Sequence, residues 1–179
     1  MSEHPITGAD SASSDDRAGD TDSADRADGA DAEIAACIEG YFSACTSGDA
    51  DAVARHFTDD AVVYDTNHAP VRGAEVIGRF WSRIAAKWQG ASWHCERLVT
   101  DGETAAIEWI MSGTMAAHRS TEAAEPFAVR GSEHYDFGID GATGARLISE
   151  IRQYWTFDLD HPSSELVDYP YGDLGRLGA

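Results

Sequence analysis

Residues 34–65, IAACIEGYFSACTSGDADAVARHFTDDAVVYD, decide the architecture. Ile34, Cys37, Ile38, Tyr41, Phe42 and Cys45 recur at the i, i+3, i+4, i+7 spacing that lines one buried helix face. Gly48 supplies the stop, since glycine takes the left-handed conformation that ends a helix, and Asp49 can cap the next one. That second helix is expected to bury Val53, Ala54 and Phe57. Asp59-Asp60 then turns the chain into a short strand, Ala61 to Asp65. Tyr41 places a phenol on the apolar stripe, and Asp65 places a carboxylate at the strand's end.

Beyond Asp65 a third helix is predicted from about Ala74 to Trp88, burying Val76, Ile77, Phe80, Trp81, Ile84 and Trp88. The period then changes from helical to alternating. Ser92 to Thr100 and Thr104 to Met115 flank Asp101-Gly102, a dipeptide suited to a hairpin turn. A loop over 116–125 leads to Phe127–Phe137, and a turn over 138–144 leads to Leu147–Phe157. Helices followed by long antiparallel strands make an α+β two-layer fold.

The order of these elements, with Gly48-Asp49 between the first two helices and Arg72-Gly73 before the third, resembles the NTF2-like superfamily over residues 33–158. Within it the chain is most similar to SnoaL-like polyketide cyclases and ketosteroid isomerases. The resemblance implies a cone: three N-terminal helices packed on a curved antiparallel sheet around an apolar cavity, with a homodimer through the outer sheet face. It also implies roles. The oxyanion-holding tyrosine, the aspartate base and the second, protonated acid of ketosteroid isomerases fall on Tyr41, Asp65 and Glu133. The catalytic histidine of dehydratase-like members falls on His94. The chain departs from the isomerase pattern in carrying Glu, not Asp, at 133, and a polar loop, Thr66 to Pro70, after Asp65.

Read on their own, these residues keep alternatives open. Glu133 is the one charged member of the set Phe127, Val129, Tyr135, Phe137. An inward carboxyl is costly unless it is paired or stays protonated. If the strand's faces swap near Gly131, Glu133 is instead solvated or paired with Arg130 or Arg152. Asp65 has a second reading as a turn former, and Tyr41 as a core tyrosine. His94 competes with Trp93 and Cys95 for the interior, and His68 can reach a cavity mouth. Phe80, Trp81, Trp109, Tyr135, Gln153 and Trp155 are the candidate substrate-binding residues of a wide apolar pocket.

The net charge is −19, and residues 1–32, with nine acids against two arginines, carry −7 of it. That segment has too little apolar surface to offset its ordering entropy, so it is expected to be a disordered acidic tail. Residues 159–179 form a C-terminal extension. The acidic body argues against nucleic-acid and anionic-membrane partners. Cys37, Cys45 and Cys95 have no ligand spacing and read as reduced core thiols. No HExxH or HxH pattern points to a metal, and no glycine-rich phosphate loop to a nucleotide cofactor. No apolar run or signal-like N-terminus is present, so a cytoplasmic location is expected. Two functions remain: cofactor-free acid/base catalysis of isomerase, cyclase or dehydratase type on a small cyclic ketone, polyketide or steroid-like compound, or a non-catalytic module that binds a small ligand or dimerises.

Overall fold

The computed structural model describes residues 18–115 and 125–155, with side chains over 29–114 and 126–155. The elements run α1 (Ala18–Ser47), α2 (Ala50–Ala54), β1 (Phe57–Asp65), β2 (Val71–Arg72), α3 (Ala74–Lys87), β3 (Trp88–Thr100), β4 (Thr104–Met115), β5 (Glu125–Ile139) and β6 (Arg146–Trp155). The six strands form one sheet in the order β2-β1-β6-β5-β4-β3. The three helices cover its inner face, and one core joins Ile34, Ile38, Tyr41 and Phe42 of α1 to Ile77 and Trp81 of α3 and to the inward residues of every long strand.

The local signals at the helix junctions act as the sequence suggests. Gly48 stands at φ 71, and its N–H closes the end of α1 on the Cys45 carbonyl. Asp49 Oδ1 accepts from the N–H groups of Asp51 and Ala52, each at 3.0 Å. Gly78 lets α3 lie on α2: a Cβ there would stand 2.2 Å from the Ala50 carbonyl oxygen.

Four expectations are corrected. First, α1 begins at Ala18, so residues 18–32 are helical where a disordered tail was expected. Extending a nucleated helix costs far less than starting one, so a segment without an apolar stripe can still continue it. The junction is also fastened: Asp31 Oδ1 accepts from Thr100 Oγ1 at 3.2 Å, and Glu33 lies 3.6 Å from Arg146 Nε. Second, α2 has only five residues, and Phe57 is buried as the first residue of β1. Asp59 and Asp60 lie inside that strand, where its register against β6 shifts between Phe57 and Val62. Third, the sheet is mixed. β3 to β6 form an antiparallel meander from the far edge, and its hairpin reversals bring β6 alongside β1 in the same direction. Fourth, His94 points to the outer face, because Trp93 takes the interior position.

Residues 1–17 of the expected tail, the loop at 116–124, the last two residues of the expected final strand, Thr156 and Phe157, and the extension 159–179 lie outside the described residues.

Candidate functional site

Alternation in β5 runs through Gly131 without a break: Phe127, Val129, Glu133 and Tyr135 are all buried, and Arg130 between them pairs with Glu96 and Glu108 on the outer face. Arg152 pairs with Asp136 and Glu150. Neither arginine is therefore the partner of Glu133. The register then aligns three polar residues. Asp65 of β1 stands opposite Gln153 of β6, and Gln153 stands opposite Glu133 of β5. Directly opposed residues share a face, and neighbouring strands lie about 4.8 Å apart, so this row spans roughly 10 Å of the inner face. Asp65 is 7% exposed, Gln153 2% and Glu133 1%, so the row is a polar seam inside an apolar core.

One end of the seam is closed. The Tyr135 hydroxyl donates to Glu133 Oε2. Burial pushes the Glu133 carboxyl up to about 8; the Tyr135 hydrogen bond opposes this, and the Asp65 carboxylate adds to it. Glu133 is therefore a neutral acid at neutral pH. α1 lays Tyr41 over the same region, where its hydroxyl shares a hydrogen bond with the Cys45 thiol one turn on. Burial holds Tyr41, Tyr135 and Cys45 well above their ordinary values, so all three stay protonated.

The other end opens on a cavity of about 270 Å³ between α3 and the sheet. Asp65 and Gln153 form its polar wall. All five tryptophans of the chain, Trp81, Trp88, Trp93, Trp109 and Trp155, line it, together with Phe80, Ile84 and Met111. Trp109 lies flat across β5 because residue 131 is glycine; a Cβ there would stand 2.2 Å from the indole Cζ2. Asn67, His68 and Lys87 complete the lining, with the His68 ring edge-on to Phe80 at 5.2 Å.

Asp65 is held from two directions. Its Oδ1 accepts from the Asn67 N–H at 2.7 Å and from Trp155 Nε1 at 3.0 Å. Its Oδ2 is buried and has no hydrogen-bond partner among the described residues, as is Gln153 Oε1 beside it. Buried polar atoms without partners cost about 1–3 kcal/mol each, and native proteins keep few of them.

Of the four residues expected to carry chemistry, the fold gathers Tyr41, Asp65 and Glu133 into one buried cluster, but only Asp65 is on the cavity wall. His94 is on the opposite side of the sheet. Of the six expected to bind substrate, Phe80, Trp81, Trp109, Gln153 and Trp155 line the cavity. Tyr135 does not, because it is engaged with Glu133. Lys87 and Asn67 were not expected in the lining; position 87 carried a readable signal, the chain's only lysine, seven residues from Phe80 at the margin of the apolar stripe of α3.

Three helices over a six-stranded mixed curved sheet are the NTF2-like fold. The SnoaL-like domain family matches residues 38–143, more than half of the chain, and the chain belongs to that family. No curated protein matches the sequence. Among solved structures, a protein of unknown function with a cystatin-like fold from Methylobium petroleophilum PM1 is 27% identical, with a TM-score of 0.54, over 71% of this chain and 78% of that one. A hypothetical protein with a ketosteroid isomerase-like fold from Catenulispora acidiphila DSM 44928, in complex with trimethylamine, is 20% identical, with a TM-score of 0.55, over 67% and 85%. A candidate SnoaL-like polyketide cyclase from Shewanella denitrificans OS-217 is 16% identical, with a TM-score of 0.54, over 67% and 88%. Among the described residues no helix is long and apolar enough to cross a membrane, and no group of three or more His, Cys, Asp or Glu is placed to hold a metal ion.

Proposed function

We propose that the chain is a cofactor-free acid/base catalyst that moves a proton next to the carbonyl of a small cyclic compound held among the tryptophans. The observation that carries this reading is Asp65. It is a carboxylate on the wall of an apolar cavity, with one oxygen fixed by two N–H donors and the other unshared. Oδ2, whose lone pairs no donor engages, takes the proton. Gln153, the next residue along the seam, offers its amide to the carbonyl oxygen as charge develops there. Neutral Glu133 and the two tyrosines keep the closed end of the seam uncharged. The isomerase, cyclase and dehydratase types all begin with such a proton transfer.

The experiment is hydrogen–deuterium exchange alpha to the carbonyl of a bound cyclic ketone, followed by NMR in wild type and Asp65→Asn. The expected loss is on the order of 10²-fold or more, the usual contribution of a general base. Equal exchange in both proteins rejects Asp65. His68, the other proton acceptor on the cavity wall, would then be next to test.

A second reading, a non-catalytic small-ligand module, is favoured by one observation: Tyr41 and Glu133 do not line the cavity, so an enolate oxygen there lacks the two donors the isomerase pattern supplies. Binding of ketones without exchange above buffer supports it. Under either reading we propose a cytoplasmic homodimer through the outer sheet face, where Val99, Tyr64 and Tyr154 stand exposed on β3, β1 and β6. Light scattering at micromolar concentration checks this, and a monomer mass rejects the dimer.

A further inference from the structure

The core-facing stripe of α3 runs from buried Ile77 and Trp81 through half-buried Phe80 and Ile84 and on to Trp88, at i, i+3, i+4, i+7 spacing. Position 87, seven residues after Phe80 and three after Ile84, flanks that stripe at the exposed rim of the last turn. The chain places its only lysine there, among 13 basic residues in all. Lys87 lines the tryptophan cavity. No carboxylate lies within 4.0 Å of it among the described residues, although the chain has 32 acidic ones. A cation in the last turn suits the helix dipole, but an outward position in that turn serves the dipole equally well. The dipole does not account for a cation on the cavity side.

We propose that the cavity binds a cyclic carboxylate, with its ring system among the tryptophans and its carboxylate on the Lys87 ammonium. This rests on the pocket reading above and names its substrate class. A net charge of −19 repels anions at long range, so an anionic ligand needs a local cation, whereas a neutral ligand needs none. Lys87 is exposed at the rim of the cavity, where a lysine stem can lie along the apolar wall and its ammonium can meet a charged group without burying it. The size also follows. Phe80, with His68 edge-on to it, and Lys87 are two helical turns apart, roughly 10 Å along α3. That length suits an apolar body of about two fused rings. Asp65 and Gln153 on the sheet side leave the carbonyl chemistry to the ring, apart from the carboxylate.

The test uses 2-naphthoate and its neutral isostere 2-naphthamide, titrated at neutral pH and low salt. The readout is the indole N–H resonances of the five tryptophans, every one of which lines the cavity. Wild type should bind naphthoate about fivefold more tightly than naphthamide, the scale of a partly exposed ion pair, and salt should shrink the difference. Lys87→Met should abolish the preference and leave naphthamide affinity unchanged, which also shows that the variant is folded. Lys87→Arg should retain it. Equal binding of both probes by wild type, or an undiminished preference in Lys87→Met, overturns the carboxylate inference and leaves the pocket reading standing. If neither probe moves an indole resonance, both fall.

Discussion

Replacing Glu133 by glutamine separates a protonated from an ionised polar seam. Burial raises the Glu133 carboxyl from 4.5 to about 8, with the Tyr135 hydroxyl pulling down and Asp65 pushing up. Below 4.5 the folded and unfolded chains both hold the proton, and the group adds no pH dependence. Between 4.5 and about 8 the unfolded chain has released it and the folded chain has not, so stability falls as pH rises, by about 1.4 kcal/mol per pH unit. Above about 8 the folded chain ionises too, and the loss levels off. At pH 7 this one group therefore costs wild type on the order of 3 kcal/mol relative to pH 4. Glutamine has nearly the same shape, still accepts from Tyr135, and does not titrate. Urea unfolding of both proteins at intervals from about pH 4 to pH 7 measures the effect as a difference, in which the other carboxylates cancel. The stability of Glu133→Gln relative to wild type should climb by roughly 3 kcal/mol over that range. Parallel curves would mean that Glu133 is ionised in the folded chain, and the neutral seam would have to be abandoned.

Gly131→Ala drives a Cβ into the Trp109 indole; it should cost about 1–3 kcal/mol and shift the Trp109 indole N–H resonance, and an unshifted resonance would show that the ring does not lie across β5. A chain beginning at Ile34 loses the Asp31–Thr100 hydrogen bond and the Glu33–Arg146 pair, so it should be about 1–2 kcal/mol less stable than one beginning at Gly29. Equal thermal midpoints for those two chains would count against the junction's contribution.

The wall of this pocket was half legible in the sequence. Periodicity alone placed Phe80, Trp81 and Ile84 on one helix face and Glu133 on an apolar strand face, because a side chain's direction follows its position in a regular element. Periodicity had nothing to read in residues 18–32, where composition pointed to disorder while helix propagation and two contacts to the sheet decided otherwise. It was silent at His94, since a strand whose two faces both carry candidates does not announce which is inward. Trp93 won that interior place by packing edge-on to Trp81, 6.1 Å away on another element. Resemblance suggested that Tyr41, Asp65 and Glu133 would work together, and the three do meet. Which of them reaches a ligand depended on the pairing of β6 between β1 and β5, which puts Gln153 between the two carboxyls, and on Trp109 folding over Gly131. Local sequence therefore determined the elements and their apolar faces. Strand order, register and the contacts between side chains far apart in the chain decided which polar groups stay sealed and which face the cavity, because those distances exist only once the sheet has closed around its core.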